Sequence, residues 1–399
     1  MKKDWPTRPL QSLCDDFKQD IVDGPFGSEL QRKDYITQGM PVLKIQNIKP
    51  FVIELKKMDY VSAAKFAELK RHSYRPGDIV MTKLGSPLGV SAIVDGVDEG
   101  VIVADLVRIR AQRVNTKYLC YHLNSQQTND FINSQQKGTT RPHVQLSVVR
   151  ELPILVPPLP EQQRIVGLLD EAFIGLSTAK ANAEKNLQNA RALFESHLES
   201  VFTQRGKGWM EKPLGIVCDF SQGIQVDVKL QSESRKSKSQ VRFLRIVDFT
   251  QGNEPERYIE NPGEKFLVSH SDVSLVRYGA STGFVCSGLD GAIANNLFRV
   301  IPREKHVSNA FLYCFLKSAA FQDEIKAIMN GAAMPAISFG VIKDIPFPFP
   351  QQQEQEVIVN KLGSFVAEIQ RLAYLCQQKL AALAALKKSL LHQAFTGNL

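Results

Sequence analysis

No run of 18 or more apolar residues occurs in the 399-residue chain, and the basic opening MKKDWPTRPLQSL has no apolar stretch behind it. Neither a membrane-spanning helix nor a secretory signal is expected, which leaves a soluble, cytoplasmic protein with no membrane partner. CxxC pairs are also missing: Cys14, Cys120, Cys218, Cys286, Cys314 and Cys376 are scattered, with no histidine at ligand spacing. That spacing disfavours zinc, and a chain this long needs no disulfide framework, so the expectation is buried reduced thiols and no metal.

Catalytic signatures are absent too. There is no GxGxxG or GxxxxGK(S/T) phosphate loop, no HExxH pair and no DxD cluster. GPFGS at 24 has glycines but no following lysine, and reads as a turn. NPG at 261 lacks the aromatic with which an adenine methylase's Asn-Pro-Pro-aromatic loop stacks a flipped base. The seven histidines are isolated, and His143, after TTRP, reads as a hydrogen-bonding loop residue. The chain is expected to catalyse nothing alone and to bind no cofactor.

What is present is ordinary globular composition, 43% hydrophobic and 23% charged, with enough length for two or three cores. Lysine and arginine exceed aspartate and glutamate by 49 to 41, a net charge of +8, which favours a polyanionic partner.

The dominant feature is an internal duplication. PPLPEQQRIV at 157 returns as PQQQEQEVIV at 350, and Pro142 through Thr203 aligns with Pro335 through Thr396 without a gap, at an offset of 193. Upstream, with small shifts, Trp5, Pro9, Leu10 and Cys14 meet Trp209, Pro213, Leu214 and Cys218, and LKIQNI at 43 meets LRIVDF at 244. GDIVMTKLG at 77 parallels SDVSLVRYG at 271, LVRI at 106 parallels LFRV at 297, and GTTRP at 138 parallels GAAMP at 331. Shared elements joined by loops of different length produce such shifts.

The segment after each proline-rich prefix reads as a long helix, with proline and glutamate suited to its first turn. One heptad seam holds Ile165, Leu169, Leu176 and Leu193, interrupted by Asn186. The other holds Ile358, Leu362, Phe365, Ile369, Leu372, Leu383, Leu386 and Leu390, interrupted by Lys379. Small alanines in the first seam complement bulky residues in the second, so an antiparallel intramolecular coiled coil is expected, its polar seam residues fixing register. Some 40 residues at about 1.5 Å each give a rod of roughly 60 Å.

The preceding units mix β-branched runs bounded by Gly, Pro or Asp (VLKIQNI, DIVMTKLG, GVIVADLVRIR, VRFLRIVDF, AIANNLFRV) with capped helical stretches, so each is α+β. The fold expected is two duplicated α+β domains separated by two long helices. The boundaries are 1–157 and 206–349 for the domains, 158–205 and 350–399 for the helices. QSESRKSKSQVR at 231 reads as a mobile basic loop or arm. Lys44 matched with Arg245, and Lys83 with Arg277, put a cation at the same point of both units, which suits either phosphate positioning or a structural ion pair.

This pattern resembles the specificity subunit of Type I restriction-modification systems. The residues that carry it are DGPFGSELQRKDYITQGMPVLKIQNI at 23, YRPGDIVMTKLGS at 74 and RELPILVPPLPEQQRIV at 150, in that order. The resemblance implies that each α+β unit is a target recognition domain reading one half of a bipartite double-stranded DNA site, and that the helices set the spacing. It implies a non-catalytic chain on which two methyltransferase subunits dock to methylate adenine N6 with S-adenosylmethionine. Motor-nuclease subunits join for cleavage driven by ATP with Mg. DNA rises about 34–36 Å per turn, so a rod of roughly 60 Å holds two readers one to two turns apart.

Because the units match at scaffold positions and differ in their loops, two different half-sequences and an asymmetric site are expected. Candidate DNA contacts are polar residues beside shared strands and turns: Lys44, Gln46, Lys83, Ser86, Arg141 and His143 in the first unit. In the second they are Arg235, Lys236, Lys238, Arg245, Arg277 and Ser281, all better suited to phosphate than to bases. The rival readings are a coiled-coil scaffold that binds no DNA and a stand-alone enzyme with active-site residues in the 77–110 and 271–300 strands.

Overall fold

GDIVMTKLG and GVIVADLVRIR supply two central strands of one sheet, Ile79–Thr82 and Leu106–Ile109, because both are buried along their whole length. Strands covered on both faces read as continuous apolar runs rather than alternating ones. The computed structural model describes residues 5–138, 140–303, 307–329, 336–396 and 398–399. GAAMP, 331–335, the expected counterpart of GTTRP, lies outside the described residues, as does Thr139 within GTTRP.

The chain forms two units, Met1–Ala183 with Gln377–Leu399, and Glu184–Cys376. In the first, one antiparallel sheet has the order Ser91–Ile93, Ile79–Thr82, Leu106–Ile109, Ile21–Asp23. A second runs Tyr35–Ile36, Asp59–Val61, Met40–Leu43, Gly100–Ile102, Ser73–Tyr74, and its one parallel pair joins Met40–Leu43 to Gly100–Ile102.

The second unit repeats this order. Its sheets run Val285–Cys286, Val273–Val276, Leu297–Pro302, Cys218–Gln222 and Arg257–Glu260, Gln240–Leu244, Gly291–Ile293, Leu267–Val268. Again a single parallel pair joins Gln240–Leu244 to Gly291–Ile293. Only the first unit adds the edge strand Tyr35–Ile36 and the hairpin Ile48–Lys49, Val52–Ile53 among the described residues. The duplication seen as letters is therefore one of topology.

Glycine holds one shared close approach. A side chain at Gly24 would start 2.1 Å from the Val103 carbonyl carbon, and one at Gly223 would start 2.2 Å from the Ala294 oxygen. Each glycine donates its N–H to a neighbouring strand, to Leu106 O at 3.2 Å and Leu297 O at 3.0 Å. The GPFGS turn is thus a backbone crossing that admits no Cβ.

The long helices are Leu159–Thr203 and Gln352–Thr396. The recurring prefix has a structural cause. Gln162 is buried, and its Nε2 donates to Pro157 O at 2.8 Å while its Oε1 accepts from Asn115 N at 2.8 Å. Gln355 does the same with Pro350 O at 2.9 Å and Ser308 N at 3.0 Å. Asn115 and Ser308 are themselves the N-caps of Thr116–Leu123 and Asn309–Lys317. One glutamine thus satisfies a proline carbonyl and a helix-entry N–H that would otherwise be buried unpaired.

Within the first unit Ile165 and Leu169 share a core with Leu391, Ala394 and Phe395. Within the second, Leu198 and Phe202 share one with Leu362, and the His197 ring lies 5.0 Å from that of Phe365. The start of one helix meets the end of the other each time, so the pairing is antiparallel.

The seams differ from the strict heptads. Leu176, Ile358, Phe365, Ile369, Leu372, Leu383 and Leu390 are half-buried, but Leu193 and Leu386 are 62% and 47% exposed, and Asn186 and Lys379 face solvent. Neither polar residue interrupts a seam. The buried positions advance by four twice in succession, from Ala179 through Ala183 to Leu187, and from Leu372 through Cys376 to Leu380. An α-helix drifts about 20° per heptad, so the extra step returns the seam to the inner face and unwinds the supercoil locally. Phe194 and Lys387 take the inward positions that Leu193 and Leu386 were expected to fill.

Candidate nucleic-acid interface

In the first unit, Ile79–Thr82 ends in a tight loop whose Gly85 has φ 92° and whose Ser86–Pro87 peptide is cis. A second segment clamps it. Gly85 N donates to Pro142 O and Val144 N to Lys83 O, both at 2.9 Å, while Lys137 and His143 exchange backbone hydrogen bonds. The fold thereby gathers Lys83, Ser86, Arg141 and His143 from two distant stretches. Lys44 and Gln46 join them on the turn Ile45–Asn47, since the Ile45 Cδ1 lies 3.6 Å from where a Gly85 side chain would begin.

Not all of these groups are free to meet a ligand. Lys83 is buried, and its Nζ bonds Asp23 Oδ2 at 2.7 Å and sits 4.5 Å from the Phe26 ring centroid. Lys44 bonds Asp59 at 2.5 Å over the Tyr35 ring. Gln46 is exposed and donates to Lys57 O at 3.3 Å. Arg141 is 69% exposed and reaches Asp105 only at 3.4 Å, the His143 Nδ1 lies 3.4 Å from Arg141 O, and Ser86 is exposed.

A groove of about 670 Å³ opens beside this loop, lined by Ser86 and by the amides Gln126, Asn129, Asn133 and Gln136. Lys387 and Lys388 border it. The sequence reading missed this amide row, although the residues recur at helical spacing along Gln126–Gln135 and just beyond.

In the second unit the corresponding turn follows Val273–Val276. Arg277 N donates to Asn296 O at 2.9 Å, and Ile337 N donates to Arg277 O at 2.7 Å, matching Lys83 with Asp105 and Val144. Strand register places Gln222 where the first unit has Asp23, and Asn296 where it has Asp105. Both carboxylates are therefore replaced by neutral amides. Among the described residues no carboxylate pairs with Arg277, its guanidinium lies 5.9 Å from the Phe339 ring centroid, and its buried Nε has no partner. Ser281, in the same turn, is half-buried and accepts from Phe284 N at 3.0 Å.

Arg245 is committed elsewhere, to Asp248 and Glu254, each at 3.1 Å, and the Asp248 hydrogen bond raises its pKa. The stretch 231–242 is a folded loop rather than a free arm. Ser232 pairs with Tyr258, Arg235 donates to Ser237 O and Lys238 O, and Gln240 Oε1 accepts from Lys236 N at 2.7 Å. The Lys236 and Lys238 side chains are exposed.

Five of the six free thiols are buried as expected, but Cys314 is half-buried, with burial pushing its pKa up to about 11. No group of three or more His, Cys, Asp or Glu able to hold a metal occurs among the described residues, and no described helix is long and apolar enough to cross a membrane.

The family model for the Type I restriction modification DNA specificity domain matches twice, over residues 38–186 and 206–375. The type I restriction enzyme MjaVIII specificity subunit of Methanocaldococcus jannaschii is 23% identical over 329 residues, 75% of each chain. Among solved structures, a chain from work on complex assembly and conformational transition of the type I R-M system superposes with TM-score 0.76 at 19% identity, covering 99% of this chain and 98% of that one. The HsdS subunit from Thermoanaerobacter tengcongensis gives TM-score 0.58, also at 19% identity, over 100% and 98% of the two chains.

Proposed function

The chain belongs to the Type I restriction modification DNA specificity family, and on that premise we propose that it is the DNA-reading specificity subunit of such a complex, each α+β unit reading one half of a bipartite, asymmetric site. The observation that carries this is the contrast at one shared turn. The framework is kept while the side chains on it change, from Lys83 closed by Asp23 to Arg277 on the same turn, with the amides Gln222 and Asn296 at the register positions of the two carboxylates. A framework selected only to hold two helices apart has no need to vary its loop chemistry, which argues against the scaffold.

Arg141, Lys236, Lys238 and Arg277 position the duplex through its phosphates, because exposed or unneutralised cations meet a polyanion at least desolvation cost. The amide row beside Ser86 supplies paired donors and acceptors, the chemistry that reads base edges. The long helices set the spacer and dock two methyltransferase subunits. Those subunits bring S-adenosylmethionine, and motor-nuclease subunits bring ATP and Mg. The chain itself contributes no catalytic group, and the complex works in the cytoplasm.

The test is adenine methylation mapped by long-read sequencing in a host expressing this chain with its neighbouring methyltransferase subunit. A single bipartite motif with a fixed spacer and unlike halves is expected. Methylation that is absent, or that is unchanged when this chain is deleted, would remove the specificity role.

A further inference from the structure

In the first unit an aromatic cluster covers one face of the long helices. The Phe51 ring, at the tip of the Ile48–Ile53 hairpin, lies 5.3 Å from that of Tyr121 and 5.7 Å from that of Phe173. Lys387 Nζ sits 4.7 Å from the Phe51 ring centroid. Asp170 joins them, accepting from the Tyr121 hydroxyl at 2.5 Å and pairing with Lys117 at 2.6 Å.

At the offset of the duplication, the second unit replaces four of these by something smaller. Tyr121 becomes Cys314, Phe173 becomes Val366, Asp170 becomes Gly363 and Lys117 becomes Ala310. The hairpin that delivers Phe51 has no counterpart there among the described residues. The result is an apolar pocket of about 440 Å³ lined by Cys314, Val366, Gly363 and Ala310, with Phe194 in the place of Lys387. That volume lies in the range of roughly 300–1,000 Å³ typical of ligand sites. His270, Ser271, Ser287 and Lys317 give the opening polar groups that can hydrogen-bond a backbone.

We propose that this pocket receives an aromatic side chain carried on a turn of a partner protein, one per chain, as Phe51 fills the equivalent space of the first unit from within. The occupant's chemistry follows from the sister unit: a ring delivered by a hairpin tip onto the same helix face. A partner seated this way is anchored by its ring at the second unit only, so two subunits docked on the duplicated chain are not held equivalently. This assignment rests on the reading of the chain as a subunit of a larger complex.

Cys314 is the half-buried thiol among six, so its alkylation reports occupancy in the full-length chain. The probes are N-acetyl-phenylalanine amide, with N-acetyl-alanine amide as control, and the neighbouring methyltransferase subunit. Iodoacetamide modification of Cys314, followed by peptide mass spectrometry, should slow about two-fold in about 10 mM of the phenylalanine probe, as for a site with a dissociation constant of about 10 mM. The alanine control should have no effect. Val366→Phe, which restores the ring found in the first unit, should abolish that protection while leaving the melting temperature unchanged or raised. With the methyltransferase subunit bound, Cys314 should be protected, and Val366→Phe should weaken that binding about ten-fold, the loss expected for one buried aromatic anchor.

No protection by the phenylalanine probe overturns the aromatic site. Protection by that probe, with neither protection by the methyltransferase subunit nor any change in its affinity for Val366→Phe, overturns the protein partner. If the subunit fails to bind the parent chain, the reading as a subunit falls, and the small probe still decides the pocket.

Discussion

The two units share a backbone and differ in what they bury against it, and the helix behind the central sheet shows how. In the first unit His122 is fully buried, its Nε2 accepting from Leu155 N at 3.1 Å and its Nδ1 lying 3.2 Å from Thr128 Oγ1. At the duplication offset these three become Phe315, Pro348 and Phe321. Proline has no N–H to donate, so the imidazole's acceptor has no purpose there, and the Phe315 and Phe321 rings pack at 5.5 Å instead. The exchange is concerted, as an interior requires when one polar partner disappears. Gln162 and Gln355 are kept because the backbone groups they satisfy persist in both units, whereas His122 changes together with the backbone N–H that it satisfies.

The sharpest way to break this comparison is to mix its halves. Phe315→His places an imidazole against a proline and a phenyl ring, with neither nitrogen partnered. Lost ring burial and unmet hydrogen bonds together should destabilise the second unit by roughly 3–5 kcal/mol, read as the urea midpoint of its transition.

Acid should separate the units next. Burial holds the His122 pKa down to about 4, below the unfolded value of 6.5. The unfolded state therefore binds the extra proton between pH 6.5 and 4, and stability is lost as pH falls through that window. At pH 5 the first unit should be weaker by about 2 kcal/mol, visible as a lowered hydrogen-exchange protection factor in 116–135, taken relative to the intrinsic rate at that pH, with little change in 309–329. An equal loss of protection in both segments would locate the acid sensitivity elsewhere.

The smallest effect concerns DNA. Arg277→Ala should lower the salt slope of duplex binding by about one unit and affinity about ten-fold, whereas Lys83→Ala should leave the slope unchanged and destabilise the first unit by stranding Asp23. Gln222→Asp, which recreates the first unit's carboxylate opposite Arg277, should reproduce most of the Arg277→Ala loss in a filter-binding salt titration.

The duplication, the α+β character and the antiparallel helices were legible because a fixed offset and an apolar period survive in letters. Beyond Ala183 and Cys376 only one of the two heptad lines stayed inward, keeping Leu383 and Leu390 but not Leu193 and Leu386, since a heptad count cannot register where an extra turn enters. Lys83 stayed open between a phosphate ligand and a structural ion pair because its neutralising Asp23 lies 60 positions away and is brought to it by strand pairing. Arg277 read identically and has no carboxylate partner among the described residues, because strand pairing sets Gln222, from a distant stretch, where the first unit has Asp23. The 231–242 loop looked mobile from polar composition, which carries no information about the hydrogen bonds to Tyr258 and Gln240 that fold it. The groove's amides were missed because asparagine and glutamine on a helix face carry no charge and no apolar period.

The paired glutamines have a mechanical consequence. Each long helix leaves its first turn with a side chain keyed to the proline before it and to the entry of a second helix, at Asn115 in one case and Ser308 in the other. A joint fastened at two points off its axis cannot swivel, so torque applied along either helix is passed to the unit at its root instead of being lost at a hinge.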